Sequence, residues 1–212
     1  MLGDIFVSMK GKEGEQKLGG GVEAVPRLGK TGEFIFSQAH GKYYEAASRG
    51  RLFYSHSAAR AMSAPATAAI GNIVWNPPGS GVNLSFCMAS IIYLVDDADA
   101  RAVDLCYSVQ ATVPGSVTVA NASGPCLLGA VGVSNGKAKA YSIATILVAG
   151  TPILSLGEIG TAKLSLGTTL NLIDLGGLVI CPPGYLVSLH TVAAAGAAGV
   201  TSDLVWEEVP II

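Results

Sequence analysis

Apolar and polar positions along this chain alternate with short periods, and Gly or Pro interrupts them at close spacing. Ile73-Val74-Trp75 runs into Asn76-Pro77-Pro78-Gly79-Ser80-Gly81, a cluster of residues that favour turns. Val82 to Val95 is a long run of β-branched and other apolar residues, bounded by Asp96-Asp97-Ala98-Asp99. Ala102 to Gln110 reads as the next strand, and the Asp-rich turn before it suits a hairpin with a longer loop. Pro114-Gly115, Gly124-Pro125 and Asn135-Gly136 punctuate the middle of the chain. Lys139 to Val148, Ile153 to Ile159, Leu170 to Ile173 and Leu178 to Ile180 are further strand candidates, ending at Pro182-Pro183-Gly184. Tyr185 to Val192 alternates, with Tyr185, Val187, Leu189 and Thr191 on one face and Leu186, Ser188, His190 and Val192 on the other. Leu204 to Val209 closes the series. About eight to ten strands without βαβ alternation predict an all-β fold: an antiparallel β-sandwich, jelly-roll-like. Phe86, Ile91, Ile92, Leu94, Val187 and Leu189 are the expected core.

The first third of the chain reads differently. Residues 1–32 are charged and Gly-rich around Lys10 to Glu15, with a swivel at Gly19-Gly20-Gly21. Such a segment buries too little apolar area to offset its own ordering entropy, so it is expected to be an extended N-terminal arm that orders on a partner. Residues 33–70 read as transitional. Glu33 to Phe36 and Leu52 to Tyr54 are short strand candidates, Gly41 to Glu45 is polar, and Ser57 to Met62 has the composition of a helical turn that Pro65 ends. Residues 71–212 are the expected sandwich body.

Charge sharpens this division. Residues 1–70 hold 9 Lys/Arg and 6 Asp/Glu (+3), and residues 71–212 hold 4 and 9 (−5), which together give the net −2. Charged residues are 13% of the chain, about half the ordinary ~25%. A surface so poor in charge suits a subunit covered by neighbours, and the acidic balance argues against coating nucleic acid. Met1-Leu2-Gly3-Asp4 opens on an acid with no apolar run behind it, which argues against a secretory leader. Leu175 to Ser202 is uncharged but broken by Pro182, Pro183, Gly184, Gly196 and Gly199, so no membrane span is expected.

Candidate chemistry is sparse. Cys87, Cys106, Cys126 and Cys181 lack any CxxC spacing and read as reduced thiols packed in strands. His40, His56 and His190 are dispersed, so no metal ligand set and no cofactor is expected. Asp96, Asp97 and Asp99 form either a solvated turn or a weak cation site. Gly29-Lys30-Thr31 ends like a phosphate loop, but Ala24 stands where that loop needs Gly. Glu207 and Glu208 are adjacent, so on a strand they face opposite sides and make a poor acid–base pair. No nucleophile–base pair can be named, and the chain does not read as an enzyme. Trp75 and Trp206 each fall at a strand end, either as core residues or as an intersubunit anchor or sugar-stacking platform.

Five blocks carry a resemblance. They are Gly41-Lys42-Tyr43-Tyr44-Glu45, Arg49-Gly50-Arg51-Leu52-Phe53, Trp75 to Gly81, Pro182-Pro183-Gly184 and Trp206-Glu207-Glu208-Val209-Pro210. In their order, and in the terminal position of the last, the chain resembles a group of small virion structural proteins of tailed bacteriophages. The resemblance implies a β-sandwich component of the particle, made in the host cytoplasm, and carries over no catalytic residues. One form of this expectation is a capsid cement or decoration protein. Its body would form a homo-oligomer, with a trimer favoured, and its arm would lie on the major capsid protein through Lys10, Lys12, Lys17, Arg27 and Lys30. Tyr43, Tyr44, Arg51, Trp75 and Trp206 would contribute body contacts. The alternative is a receptor- or glycan-binding module of a head or tail fibre.

Overall fold

The computed structural model describes residues 41–93, 101–120, 122–128, 136–159, 170–192 and 199–211. One short helix, α1 (Tyr44–Ser48), precedes eleven strands. These are β1 (Leu52–Arg60), β2 (Ala68–Asn76), β3 (Val82–Tyr93), β4 (Arg101–Val109), β5 (Gly115–Val119), β6 (Ala122–Pro125), β7 (Lys139–Thr145), β8 (Thr151–Ile159), β9 (Leu170–Cys181), β10 (Tyr185–Thr191) and β11 (Val200–Pro210). They form a five-stranded sheet in the order β6-β1-β11-β3-β9 and a six-stranded sheet in the order β5-β7-β2-β10-β4-β8. The assigned pairs are antiparallel.

The pairing has a simple logic. β1 pairs with β11, β2 with β10, β3 with β9 and β4 with β8. The chain is therefore one long antiparallel ladder folded back on itself, with successive rungs placed in alternate sheets. That is jelly-roll connectivity, and it leaves an all-β sandwich with two inner faces to fill. The segment from β5 to β7 is inserted between the fourth and fifth strands of this scheme. It extends both sheets on one side, with β7 and β5 beyond β2 and β6 beyond β1.

The connectivity and pairing correct four expectations. The run through Asp96 to Asp99 does not join a hairpin, because β3 lies in one sheet and β4 in the other. A strand pair and a sheet-crossing pair have the same alternation, so pattern alone does not separate them. Ser57 to Arg60, expected as a helical turn, continues β1, with Ser57 opposite Ser202 and Arg60 opposite Val200. Pairing along β11 overrides the weak helix preference of two alanines. The boundary drawn between residues 70 and 71 falls inside β2, and Tyr43–Ile212 forms one compact unit. Leu170 to Ile173 and Leu178 to Ile180 are two halves of one strand, β9, bent where Gly176 and Gly177 take positive φ.

The core lies between the sheets. Leu84, Phe86, Ala89, Ile91, Val103, Leu105, Val187, Leu189, Leu204 and Trp206 are all buried there. Ile92, placed in the core by sequence, is half-buried, because it pairs one position off the inward set at Ile91. Leu94 lies outside the described residues.

A second cluster, Ala69, Ile73, Trp75, Tyr141, Ala144, Ile146 and Leu186, covers the other face of the six-stranded sheet. What closes it is the connection from β7 to β8. Ile146 N donates to Thr67 O at 2.8 Å, Leu147 N donates to Gln110 Oε1 at 2.8 Å, and Ser108 Oγ donates to Val148 O at 2.6 Å. Residues 146–150 thus form a strap over β2, β10 and β4, which is why both faces of β10 are buried.

Candidate functional site

The five arm residues Lys10, Lys12, Lys17, Arg27 and Lys30 lie outside the described residues, as do His40, Asp96, Asp97 and Asp99. The two indoles do not lie where an interface role would put them. Trp75 is 5% exposed, and its Nε1 donates to Gln110 O at 2.8 Å. Trp206 is 3% exposed, stacked on Phe53 at 6.2 Å between ring centroids and tilted against Phe86 at 6.3 Å. Neither ring is offered to a partner or to a sugar. Both are core, so their place among the interface residues is corrected. Even-numbered residues of β11 point inward, and the sandwich is thick enough there to enclose an indole. Trp206 Nε1 has no hydrogen-bond partner among the described residues.

Tyr43 immediately precedes α1, Tyr44 is its first residue and Arg51 follows it. Tyr43 is half-buried, and its hydroxyl donates to Asp174 Oδ1 at 2.8 Å, tying the start of α1 to β9. Tyr44 is 55% exposed, and Arg51 is exposed, its carbonyl accepting from Glu208 N at 2.8 Å. Glu208 faces inward, and its Oε1 accepts from Lys137 N at 2.6 Å and Ala138 N at 2.9 Å. Glu207 is on the opposite face of the same strand.

The fold does bring one Ser, His and Asp together, on the strapped face of the six-stranded sheet. Ser188 Oγ lies 2.9 Å from His190 Nε2, and His190 Nδ1 lies 3.2 Å from Ser63 O. Asp104, opposite His190 on β4, accepts from Ser155 Oγ at 2.6 Å. Ser188 and His190 are fully enclosed. Burial pushes the His190 pKa down, with the Ser63 hydrogen bond and the Asp104 charge pulling partly back. A neutral imidazole that donates from Nδ1 and accepts at Nε2 has both nitrogens satisfied. The Cys106 thiol beside it is pushed up to about 12, first by burial and then by Asp104. A substrate has no way in, so this group is a satisfied polar layer under the strap. Among the described residues no group of three His, Cys, Asp or Glu is placed to hold a metal ion, and no helix is long and apolar enough to cross a membrane.

The accessible features are mixed, with apolar side chains prominent at the sheet edges. On the outer face of the five-stranded sheet, a His56–Asp203 pair at 2.6 Å and a Ser90–Asp203 hydrogen bond sit among Tyr54, Met88, Leu172 and Val205, around a cleft of about 270 Å³. On the side of the insertion, Val113, Val117 and Val119 are exposed beside the β5 edge. On the opposite side, β9 and β8 are the edge strands among the described residues. They flank a cleft of about 460 Å³ lined by Leu178, Ile180, Ile153, Tyr107, Tyr185 and Val187. Strand patterns do not reveal these edges, because they locate strands without showing which of them end a sheet. The available signal is the outward set Leu172, Leu178 and Ile180, which leaves apolar residues where an alternating strand places polar ones.

No family model matches the chain, and no curated protein matches it. Among solved structures, it aligns with a chain in the structure of a marine algae virus of the order Picornavirales. Identity is 14%, the alignment covers 99% of this chain and 90% of that chain, and the TM-score is 0.18. A superposition that poor assigns nothing to this chain.

Proposed function

We propose that this chain is a structural subunit of a bacteriophage virion: a capsid cement or decoration protein that binds the major capsid protein and works by covering surface, without catalysis. The observation that carries the reading is the combination of an enclosed polar interior and apolar side chains exposed at the sheet edges. Among the described residues the Ser188–His190–Asp104 grouping is sealed and paired, whereas Leu178, Val119 and Ile180 are 76%, 65% and 61% exposed. Apolar surface of that kind is stable in water only at a cost that association removes. The sequence blocks that resemble virion structural proteins point the same way. Jelly rolls also serve as lectin domains, so the fold alone does not choose. The fibre or glycan reading loses its main support, because the two indoles that would stack a sugar are inside the protomer.

In this reading the basic residues of the 1–32 segment add contacts to an acidic shell surface, and several modest interfaces sum to firm attachment. The test is co-sedimentation with shells assembled from the major capsid protein of the same phage. The full chain is expected to pellet with the shells, and the chain lacking residues 1–32 to stay folded and remain in the supernatant. Normal decoration by the shortened chain refutes the role of the arm. Failure of the full chain to bind any shell, together with binding to a glycan array, refutes the cement reading in favour of the fibre one.

A further inference from the structure

We infer that the β9–β8 side of the sandwich is the surface through which two copies of this chain join. This contact would supply the homo-oligomer expected from the sequence, and it rests on the cement reading only for its biological setting.

β9 closes the five-stranded sheet and β8 closes the six-stranded sheet, so among the described residues both expose a row of backbone N–H and C=O groups to one side. Proteins that remain monomeric blunt such edges with Lys, Pro or inward charges. β8 carries Pro152 and Glu158, but β9 has neither Lys nor Pro, and its single charge, Asp174, is engaged by Tyr43 Oη and Gly176 N, so β9 is the open edge of the two. Leu178 and Ile180 stand outward at 76% and 61% exposure, and Ile153, Val109 and Tyr107 add 46%, 45% and 40%. Together they present on the order of 500 Å² of apolar surface, near the upper end for the largest patch on a monomer. That is more than half of the ~800 Å² per partner in a standard interface, and the rim of the cleft supplies the rest.

Charge selects the occupant. None of the residues lining the cleft is charged. An acidic or basic partner gains nothing there and loses the hydration of its own charges. Residues 43–212 hold 7 Lys/Arg and 10 Asp/Glu, a formal −3, so two copies of this unit repel modestly. They approach with least repulsion where that surface lacks charge, and the lining of this cleft is uncharged and apolar on both copies. A second β9 also supplies backbone partners for the unpaired edge, and Leu and Ile side chains for the cleft.

The test is the solution mass of the full chain by light scattering across a concentration series, with Leu178→Lys, Ile180→Lys and the control Leu147→Glu. Leu147 is 54% exposed on the strap that covers the six-stranded sheet, outside the cleft lining. The native chain and Leu147→Glu are expected to give the same multiple of 21.5 kDa. Each β9 variant is expected to fall to a single chain, with unchanged circular dichroism. Hydrogen exchange at those amides of residues 178–181 that do not bond to β3 should be slow in the multimer and speed up on dilution. A native chain that is monomeric overturns the inference, as does a multimer indifferent to both β9 changes. Slow exchange that does not depend on concentration, at those amides of 178–181 that do not bond to β3, overturns it as well, since another segment of the same chain then covers the edge. A chain that binds shells as a monomer refutes this contact and spares the shell reading. One that associates through β9 and ignores shells does the reverse.

Discussion

Replacing Glu208 tests how the inserted β5–β7 segment is held to the jelly roll. Glu208 Oε1 accepts from two consecutive backbone groups, Lys137 N and Ala138 N. Gly136 makes this possible: its φ of 69° turns both N–H groups toward the carboxylate, and a Cβ there would lie 2.9 Å from Oε1 and 3.0 Å from Phe53 Cε1. Hydrogen bonds to a charged acceptor contribute about 1.5–3 kcal/mol each, and removing the acceptor leaves two N–H groups largely out of water. Glu208→Ala is therefore expected to cost about 3–5 kcal/mol, short of the full sum because water will reach part of the gap. Glu208→Gln keeps an oxygen acceptor without the charge and is expected to cost about 1–2 kcal/mol. The assay is urea unfolding of the full chain followed by the fluorescence of its two tryptophans, of which Trp206 lies two residues away on the same face. Hydrogen exchange at Lys137 and Ala138 should speed up selectively. A loss under about 0.5 kcal/mol for Glu208→Ala, with exchange unchanged, would show that the segment is held by other means.

Other perturbations probe the rest of the molecule. Gly71→Ala places a Cβ 2.5 Å from Leu189 O at a φ of 152°, so thermal unfolding should show a loss of about 2–4 kcal/mol, and a neutral result would contradict the close approach of β2 to β10. His190 is buried with a folded pKa below its ordinary 6.5. The unfolded chain therefore binds the extra proton, and the stabilisation is present above pH 6.5 and is lost as pH falls toward the folded value, by at most about 1.4 kcal/mol per pH unit. His190→Gln should flatten that slope in a pH series of urea midpoints, and an unchanged slope would place the acid sensitivity elsewhere. Cys106 and Cys181, both pushed up to about 12 by burial, should resist a thiol reagent at about pH 8 until urea unfolds the chain, whereas the half-buried Cys126 should react first; rapid labelling of all cysteines in the native protein would contradict the packing.

Much of the fold is legible because its strands obey a two-residue period. The run from Val82 and the alternation from Tyr185 mark β3 and β10 almost to the residue. The order of strands within the sheets is not legible, since a ladder joining residue 52 to residue 207 leaves no local trace. Gly115 and Gly124-Pro125 have the character of punctuation, yet they sit in β5 and β6, short edge strands where Gly and Pro are tolerated because one side needs no partner. The indoles are ambiguous for a related reason. A strand-end Trp is core or interface according to what lies opposite, and Phe53 lies opposite Trp206 only in the folded ladder. The polar layer of Ser188, His190 and Asp104 is hidden likewise, because its members meet across β10 and β4 and are sealed by a strap whose first residues, Ile146 to Val148, read as the end of a strand that in fact stops at Thr145.

If this chain serves by covering a shell, it must be present in many copies. The number of copies per purified particle, counted by isotope-labelled peptides against the major capsid protein, decides the matter. The expected count is of the same order as that of the capsid protein. A handful of copies per particle, or none, would rule out a cement role.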